Sequence, residues 1–191
     1  MKIGLLGGTF DPIHVGHLII AEWIRESWGL KKIIFVPAAL PPHKKNVKMT
    51  DKKDRLEMVK LSIRDNPKFE ISDIEINEEN VSFTVDTLKE FSKGDDEIYF
   101  IIGGDSLKEF PTWKDPDEII RLSNIVVARR PNHEDNGKKI IYSDKVIFSD
   151  SPEISISSTQ IRERVKEGKS IKYLVHPAVE EYILKKGFYK S

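Results

Sequence analysis

Two histidines stand three residues apart near the start of the chain, His14 and His17, in the stretch GLLGGTFDPIHVGHLII of residues 4–20. An apolar run breaks there into Gly7 and Gly8, and Thr9, Phe10, Asp11 and Pro12 follow before the first histidine. Glycines at the end of a strand let backbone approach a ligand closely. A helix starting near His14 or Val15 offers N–H groups and partial positive charge to an anion. Both imidazoles then lie on its first turn, facing one side, and each can donate to a phosphate oxygen. An H-x-x-H pair by itself also fits surface histidines, packed histidines or a metal site. A metal needs a third ligand, and His43, His133 and His176 lie in separate segments.

A second anion-ready helix start is ISISSTQIRERV at residues 154–165. Ser157 and Gln160 have capping-box spacing, which puts Ser158 and Thr159 in the first helical positions. Their amides and hydroxyls can serve one anion, and Arg162 one turn further on adds a charged fork. Two such helix starts favour a triphosphate held between them. The loop PPHKK at 41–45 follows the second strand, and its two prolines stiffen it to present His43 and Lys44. In IIGGDSL at 101–107, Gly103 and Gly104 permit backbone contact, and Asp105 can accept from ribose hydroxyls. SFTVDTL at 82–88 places Thr84 at or near a helix start, where free N–H groups suit a carboxylate. Trp113, followed by Lys114, lies in a loop between Pro111 and Pro116, a setting less typical of a core tryptophan.

These residues need strands and helices to hold them. KIGLL, KIIFVP, EIYFIIGG, NIVVARRP and KVIFS read as strands. FEISDIEI is strand-like, with an apolar phase shift between Ile71 and Ile74 that predicts a bulge or bend. Helical spacing runs through 15–28 with Gly29 as its stop, and through 50–67 with Thr50 or Asp51 as cap and Leu56, Val59 and Ile63 inward. TVDTLKEFSKG, SSTQIRERVKEG and HPAVEEYILKKG read as further helices. DPDEIIRL carries Asp115 as cap, Pro116 at the first position and Glu118 three after the cap. The polar run 132–139 reads as a loop. Alternating strands and helices imply an α/β fold: a Rossmann-like, doubly wound, mainly parallel sheet with helices on both faces and a small C-terminal helical portion. No repeat or linker divides the chain, so residues 1–191 are expected to form one domain.

Formal net charge is zero, with 31 basic and 31 acidic residues, which argues against a dedicated nucleic-acid binder. The sequence has no cysteine, which excludes disulfides, thiolate metal sites and a cysteine nucleophile. No apolar run is long enough to span a membrane. The N-terminus lacks a signal-peptide pattern, so a cytoplasmic protein is expected. Composition leaves a homo-oligomer open.

GGTFDPIHVGH resembles the signature of the nucleotidyltransferase superfamily that carries this histidine motif. GGTFDPIHVGHL, PPHK, SFTVDTL, GGDSL and ISSTQIR, in that order over most of the chain, resemble the bacterial nicotinate-nucleotide adenylyltransferase family. The resemblance implies adenylyl transfer from ATP to nicotinate mononucleotide, giving nicotinate adenine dinucleotide and pyrophosphate. It implies that Gly7, Gly8, Thr9, Phe10, His14, His17, Gly103, Asp105, Ser157, Ser158, Thr159 and Arg162 bind ATP. His14, His17, Lys44 and Arg162 would act on the phosphates, and Lys44, Thr84, Trp113 and Lys114 would receive the acceptor. Magnesium would arrive with ATP, with no dedicated protein metal site. The family often has tyrosine where this chain has Phe83, a mild departure. Other nucleotidyltransferases of the superfamily, and a non-catalytic nucleotide-binding module, are the rival readings.

Overall fold

The computed structural model describes residues 1–39, 49–77, 82–128 and 141–190. Among these, six strands form one sheet: β1 (Lys2–Gly8), β2 (Lys32–Pro37), β3 (Phe69–Ile71), β4 (Glu97–Gly103), β5 (Asn124–Ala128) and β6 (Ile147–Phe148). All the pairings are parallel, in the order β3-β2-β1-β4-β5-β6. The helices are α1 (Val15–Ser27), α2 (Lys52–Ile63), α3 (Thr84–Phe91), α4 (Gly104–Glu109), α5 (Pro116–Leu122), α6 (Ser158–Lys166) and α7 (Pro177–Lys186). This is the expected Rossmann-like α/β fold.

Alternation along the strands makes two cores. Leu6, Ile33, Phe35, Ile101 and Val126 face one side, where Ile24 of α1, Met58 of α2, Ile161 of α6 and Val179 of α7 cover them. Ile3, Leu5, Ile34, Phe100 and Val127 face the other, under Val85 of α3, Leu107 of α4 and Ile119 of α5. Strands covered on both faces are apolar at nearly every position, as the runs KIIFVP and EIYFIIGG are. The expected stops hold too. Gly29, Gly168 and Gly187 adopt left-handed backbone just beyond α1, α6 and α7.

Three local expectations are corrected. FEISDIEI is strand only to Ile71, and the phase shift at Ile74 marks the bend and not the bulge. Asp115 precedes α5 in left-handed backbone at φ 49° and makes no side-chain cap; its carbonyl accepts from Glu118 and Ile119 instead. GGDSL runs from the end of β4 straight into a short helix, α4. In α2, Asp51 is the cap, but Arg55 and Met58 turn inward with Val59 and Ile63, while Leu56 is only half-buried. Residues 132–139, together with His43, lie outside the described residues.

Candidate active site

The connections from β1 and β4 lead to opposite faces of the sheet, so a crevice opens at their C-terminal ends. A cavity of about 440 Å³ occupies it. Gly7, Gly8, Thr9 and Phe10 line one wall, and Gly103 and Asp105 line the next. His17 and Ser158 reach it from one side, Thr84, Trp113 and Lys114 from the other.

His14 is the N-cap residue of α1 and is 4% exposed. Its backbone N–H donates to His17 Nδ1 at 3.2 Å, and the two rings stack with centroids 3.6 Å apart. A ring nitrogen that accepts carries no hydrogen, so neutral His17 bears its hydrogen on Nε2, where it can serve an anion. The Phe10 ring meets the His17 ring edge-on at 5.1 Å and fixes its plane. A Cβ at Gly8 would stand 2.8 Å from Phe10 Cε1, and one at Gly16 would stand 3.0 Å from His14 Nδ1. Both glycines therefore make room for the aromatic stack. The anion role expected of the α1 amides is reduced. The Val15 amide donates to the Leu174 carbonyl at 2.9 Å and the His17 amide to the His14 carbonyl at 2.9 Å. His17 and Ile20 are the residues that α1 presents to the cavity.

The capping box of α6 forms as expected. Ser157 Oγ accepts from the Gln160 amide at 3.2 Å, and Gln160 Oε1 accepts from the Ser157 amide at 3.0 Å. The hydroxyls do not all converge on one anion, however. Ser158 Oγ donates to the Pro12 carbonyl at 2.8 Å. Arg162 donates from Nη1 to the Asp11 carbonyl at 2.8 Å and from Nη2 to Thr159 Oγ1 at 3.2 Å. These bonds stitch α6 to the β1–α1 loop. Of this group only Ser158 lines the cavity; His14, Ser157, Thr159 and Arg162 do not. By helix geometry the Ser158 and Thr159 amides have no intrahelical carbonyl to meet.

The same loop is held from behind. Asp11 Oδ1 accepts from the Tyr189 hydroxyl at 2.6 Å, and Oδ2 from the Thr50 amide at 3.2 Å. Arg55, 1% exposed, donates to four carbonyls: Thr9 at 2.6 Å, Ala38 at 2.6 Å, Ala39 at 2.8 Å and Thr50 at 3.0 Å. Burial pulls its pKa below the ordinary arginine value, and the Asp11 charge opposes that shift.

At the far end Thr84 begins α3, directly after its N-cap Phe83. Trp113 packs its half-buried ring on Phe110 at 5.4 Å and Phe100 at 6.3 Å while lining the cavity, so it serves core and site together. Lys114 pairs with Asp86 at 2.9 Å and lies 4.7 Å from the Phe83 ring centre. Lys44 lies outside the described residues.

Comparison with known proteins adds an independent finding. Residues 5–164 match the Cytidylyltransferase-like family. A protein of Caldicellulosiruptor saccharolyticus, described as "Probable nicotinate-nucleotide adenylyltransferase", is 46% identical over 197 residues, covering 100% of both chains. One of Thermoanaerobacter sp. with the same description is 47% identical over 201 residues, covering 100% of this chain and 95% of its own. The chain belongs to the nicotinate-nucleotide adenylyltransferases of the cytidylyltransferase-like family. The fold agrees: Plasmodium falciparum nicotinic acid mononucleotide adenylyltransferase complexed with NaAD superposes with a TM-score of 0.83 at 21% identity, over 99% of this chain and 97% of the other.

Three residues of this adenylyltransferase chain escaped the motif reading: Arg55, Glu75 and Tyr189. Arg55 sits in a helix with three lysines, an aspartate and a glutamate, where an arginine reads as solvated. Glu75 and Tyr189 fall in segments without a regular period. Arg55 and Tyr189 depend on partners far away in sequence, Thr9 and Asp11, while Glu75 meets Ser82 and Thr87 only 7 and 12 residues on, at a spacing no regular element announces.

Proposed function

We propose that the chain transfers the adenylyl group of ATP to nicotinate mononucleotide, releasing pyrophosphate and giving nicotinate adenine dinucleotide. One cavity walled by both the His17–Ser158 side and the Thr84–Trp113 side carries this reading. The full-length relatives support the same reaction. The acceptor's 5′-phosphate oxygen attacks the α-phosphorus, and the bond to the pyrophosphate oxygen breaks. A phosphate is already a nucleophile, so the protein's task is to hold two anions together and stabilise charge on the groups in transfer.

His17 supplies the Nε2 hydrogen to a phosphate oxygen, in a ring whose tilt the His14 stack and Phe10 set. The α6 amides and Arg162 add positive potential beside it, and Lys44 is assigned to the phosphates by its motif. Gly103 and Asp105 receive the adenosine half, and the α3 start with Trp113 receives the pyridine and its carboxylate. Among the described residues no group of three or more histidine, aspartate or glutamate side chains could hold a metal. Magnesium's preference for phosphate and water ligands suits an ion that would arrive on the ATP phosphates and neutralise their charge. Among the described residues no helix is long and apolar enough to cross a membrane, and we place the reaction in the cytoplasm.

The deciding experiment measures pyrophosphate release from ATP and magnesium with nicotinate mononucleotide, nicotinamide mononucleotide or phosphopantetheine as acceptor. Fast release with the nicotinate form is expected. Release with phosphopantetheine alone overturns the acceptor, and ATP binding without turnover overturns the enzyme.

A further inference from the structure

Glu75 is a carboxylate that the reaction as described does not use, yet it is 9% exposed and lines the cavity. A buried carboxylate is costly unless its oxygens are hydrogen-bonded. Here the Ser82 hydroxyl donates to Oε2 at 2.7 Å and the Thr87 hydroxyl to Oε1 at 2.8 Å. Both hydroxyls are themselves buried, so the three side chains form a cluster with charge-assisted bonds. Its placement is specific. Ser82 stands just before Phe83, the N-cap of α3, and Thr87 stands one turn inside the helix. One planar carboxylate thus grips α3 on both sides of Thr84, the first helical residue, which faces the same cavity. The N-cap residue makes no side-chain hydrogen bond of its own. Glu75 takes over the anchoring that a cap normally gives, and its negative charge beside a helix N-terminus is electrostatically favourable.

We propose that Glu75 is a positioning residue for the acceptor: it fixes the first turn of α3 so that the Thr84 end of the cavity receives the acceptor's pyridine carboxylate. This rests on the acceptor assignment above. It goes further by predicting that one side of the two-substrate site can be loosened without the other. Asp105, Gly103 and His17 belong to other elements, α4, the end of β4 and α1, so the ATP side does not depend on this cluster.

The test is initial-rate kinetics with both substrates varied, on the wild type, Glu75→Ala, Glu75→Gln and Thr87→Val. Glu75→Ala is expected to raise KM for nicotinate mononucleotide about tenfold or more while KM for ATP stays within about twofold, since misplacement of a binding group is felt only by the ligand it holds. Glu75→Gln should recover most of the loss. Its amide oxygen accepts from one hydroxyl and its N–H donates to the other, so geometry survives without charge. Thr87→Val, which keeps shape and removes one bond, should raise the acceptor KM about threefold. If Glu75→Ala does not fold, the Gln and Val variants decide. Equal rises in both KM values, or an acceptor KM unchanged in the Ala or Val variant, overturn the proposal while leaving the reaction standing. A wild type that releases no pyrophosphate with nicotinate mononucleotide overturns the reaction and this proposal together.

Discussion

The Tyr189 hydroxyl donates to Asp11 Oδ1 over 2.6 Å, although 178 residues separate them. Asp11 belongs to the β1–α1 loop, and its carbonyl also holds Arg162, so the last turn of the chain helps shape the cavity wall that Thr9 and Phe10 form. The C-terminal segment reaches this loop by a second route as well, through the Leu174 carbonyl and the Val15 amide. A loop that is held by several distant elements has less order left to lose when a ligand binds against it.

That bond predicts an alkaline signature. Burial, with the Asp11 charge next, pushes the Tyr189 pKa far above the ordinary value of about 10. Below about pH 10 both folded and unfolded chains keep the phenol proton and the stabilisation is fully present. Above it the unfolded chain loses the proton and the folded chain keeps it, so stability falls as pH rises, by up to about 1.4 kcal/mol per pH unit for this group. Urea unfolding between about pH 9 and pH 11 should show a shallower fall for Tyr189→Phe than for the wild type. At neutral pH the variant should be less stable by about 1.5–3 kcal/mol, the worth of a hydrogen bond to a charged group. Tyr142 and Tyr182 also have raised pKa values, so the wild-type slope has other contributors, and the difference between the two proteins is the quantity to read. Identical slopes would mean that Tyr189 is not buried against Asp11 in solution.

Arg55 should be the most destabilising single truncation at the site. Arg55→Ala strips the carbonyls of Thr9, Ala38, Ala39 and Thr50 of a shared donor and opens a cavity. Each buried carbonyl left unpaired costs about 1–3 kcal/mol, and water entering the gap recovers part of that, so a net loss of about 3 kcal/mol or more is expected. Arg55→Lys keeps a charge but cannot span four carbonyls with a compact ammonium, so it should recover only part. Chemical denaturation of the three proteins checks both statements, and a loss under about 1 kcal/mol for Arg55→Ala would show that the four bonds contribute little.

What was legible in the sequence had a local cause. The strands announced themselves because both faces are covered, which leaves runs such as EIYFIIGG almost wholly apolar. The α6 cap was legible because Ser157 and Gln160 carry it within one turn. Thr84 and Trp113 line the same cavity as Gly7, Gly8 and His17, although their segments are far apart in the chain. What failed was direction. The sequence placed Ser158 at a helix start but could not show its hydroxyl turning back to Pro12, because that carbonyl is 146 residues away. Asp115 had the composition of a capping box, yet it stands in left-handed backbone and its side chain makes no cap bond. The burial of Arg55 and Glu75 was invisible, since charged residues are ordinarily solvated and only the assembled fold supplies their partners.

Two glycines of the cavity wall should respond oppositely to alanine. Among the described residues, apart from its chain neighbours, a Cβ at Gly103 meets nothing within 4 Å, and its φ of −80° suits any residue. Gly103→Ala should leave stability within about 0.5 kcal/mol of the wild type, yet raise KM for ATP because the added methyl occupies ligand space. At Gly8 the new Cβ would collide with the Phe10 ring at 2.8 Å. Gly8→Ala should therefore lower stability by about 1–3 kcal/mol, as overpacking does, and disturb turnover through the His17 ring that Phe10 supports. Thermal melts and steady-state kinetics on the pair separate ligand space from protein packing. An unchanged KM in Gly103→Ala would place ATP away from the end of β4.

His17 carries two roles that substitution can separate. Its Nδ1 accepts from the His14 amide and so helps close the first turn of α1, while the hydrogen on Nε2 is assigned to a phosphate. His17→Asn can keep an oxygen near the Nδ1 position but has nothing at Nε2. His17→Gln can place an N–H near Nε2 but gives up the bond to His14. If charge stabilisation in transfer is the role, the Asn variant should fold normally and lose about 100-fold or more in kcat, as removal of a preorganised donor does elsewhere. The Gln variant should be less stable by about 1 kcal/mol, the worth of one local hydrogen bond, and retain more of its turnover than Asn. Circular dichroism, thermal melts and the pyrophosphate assay on both proteins check this. Near-normal kcat in a folded Asn variant would remove His17 from the chemistry and leave it as a helix-start residue.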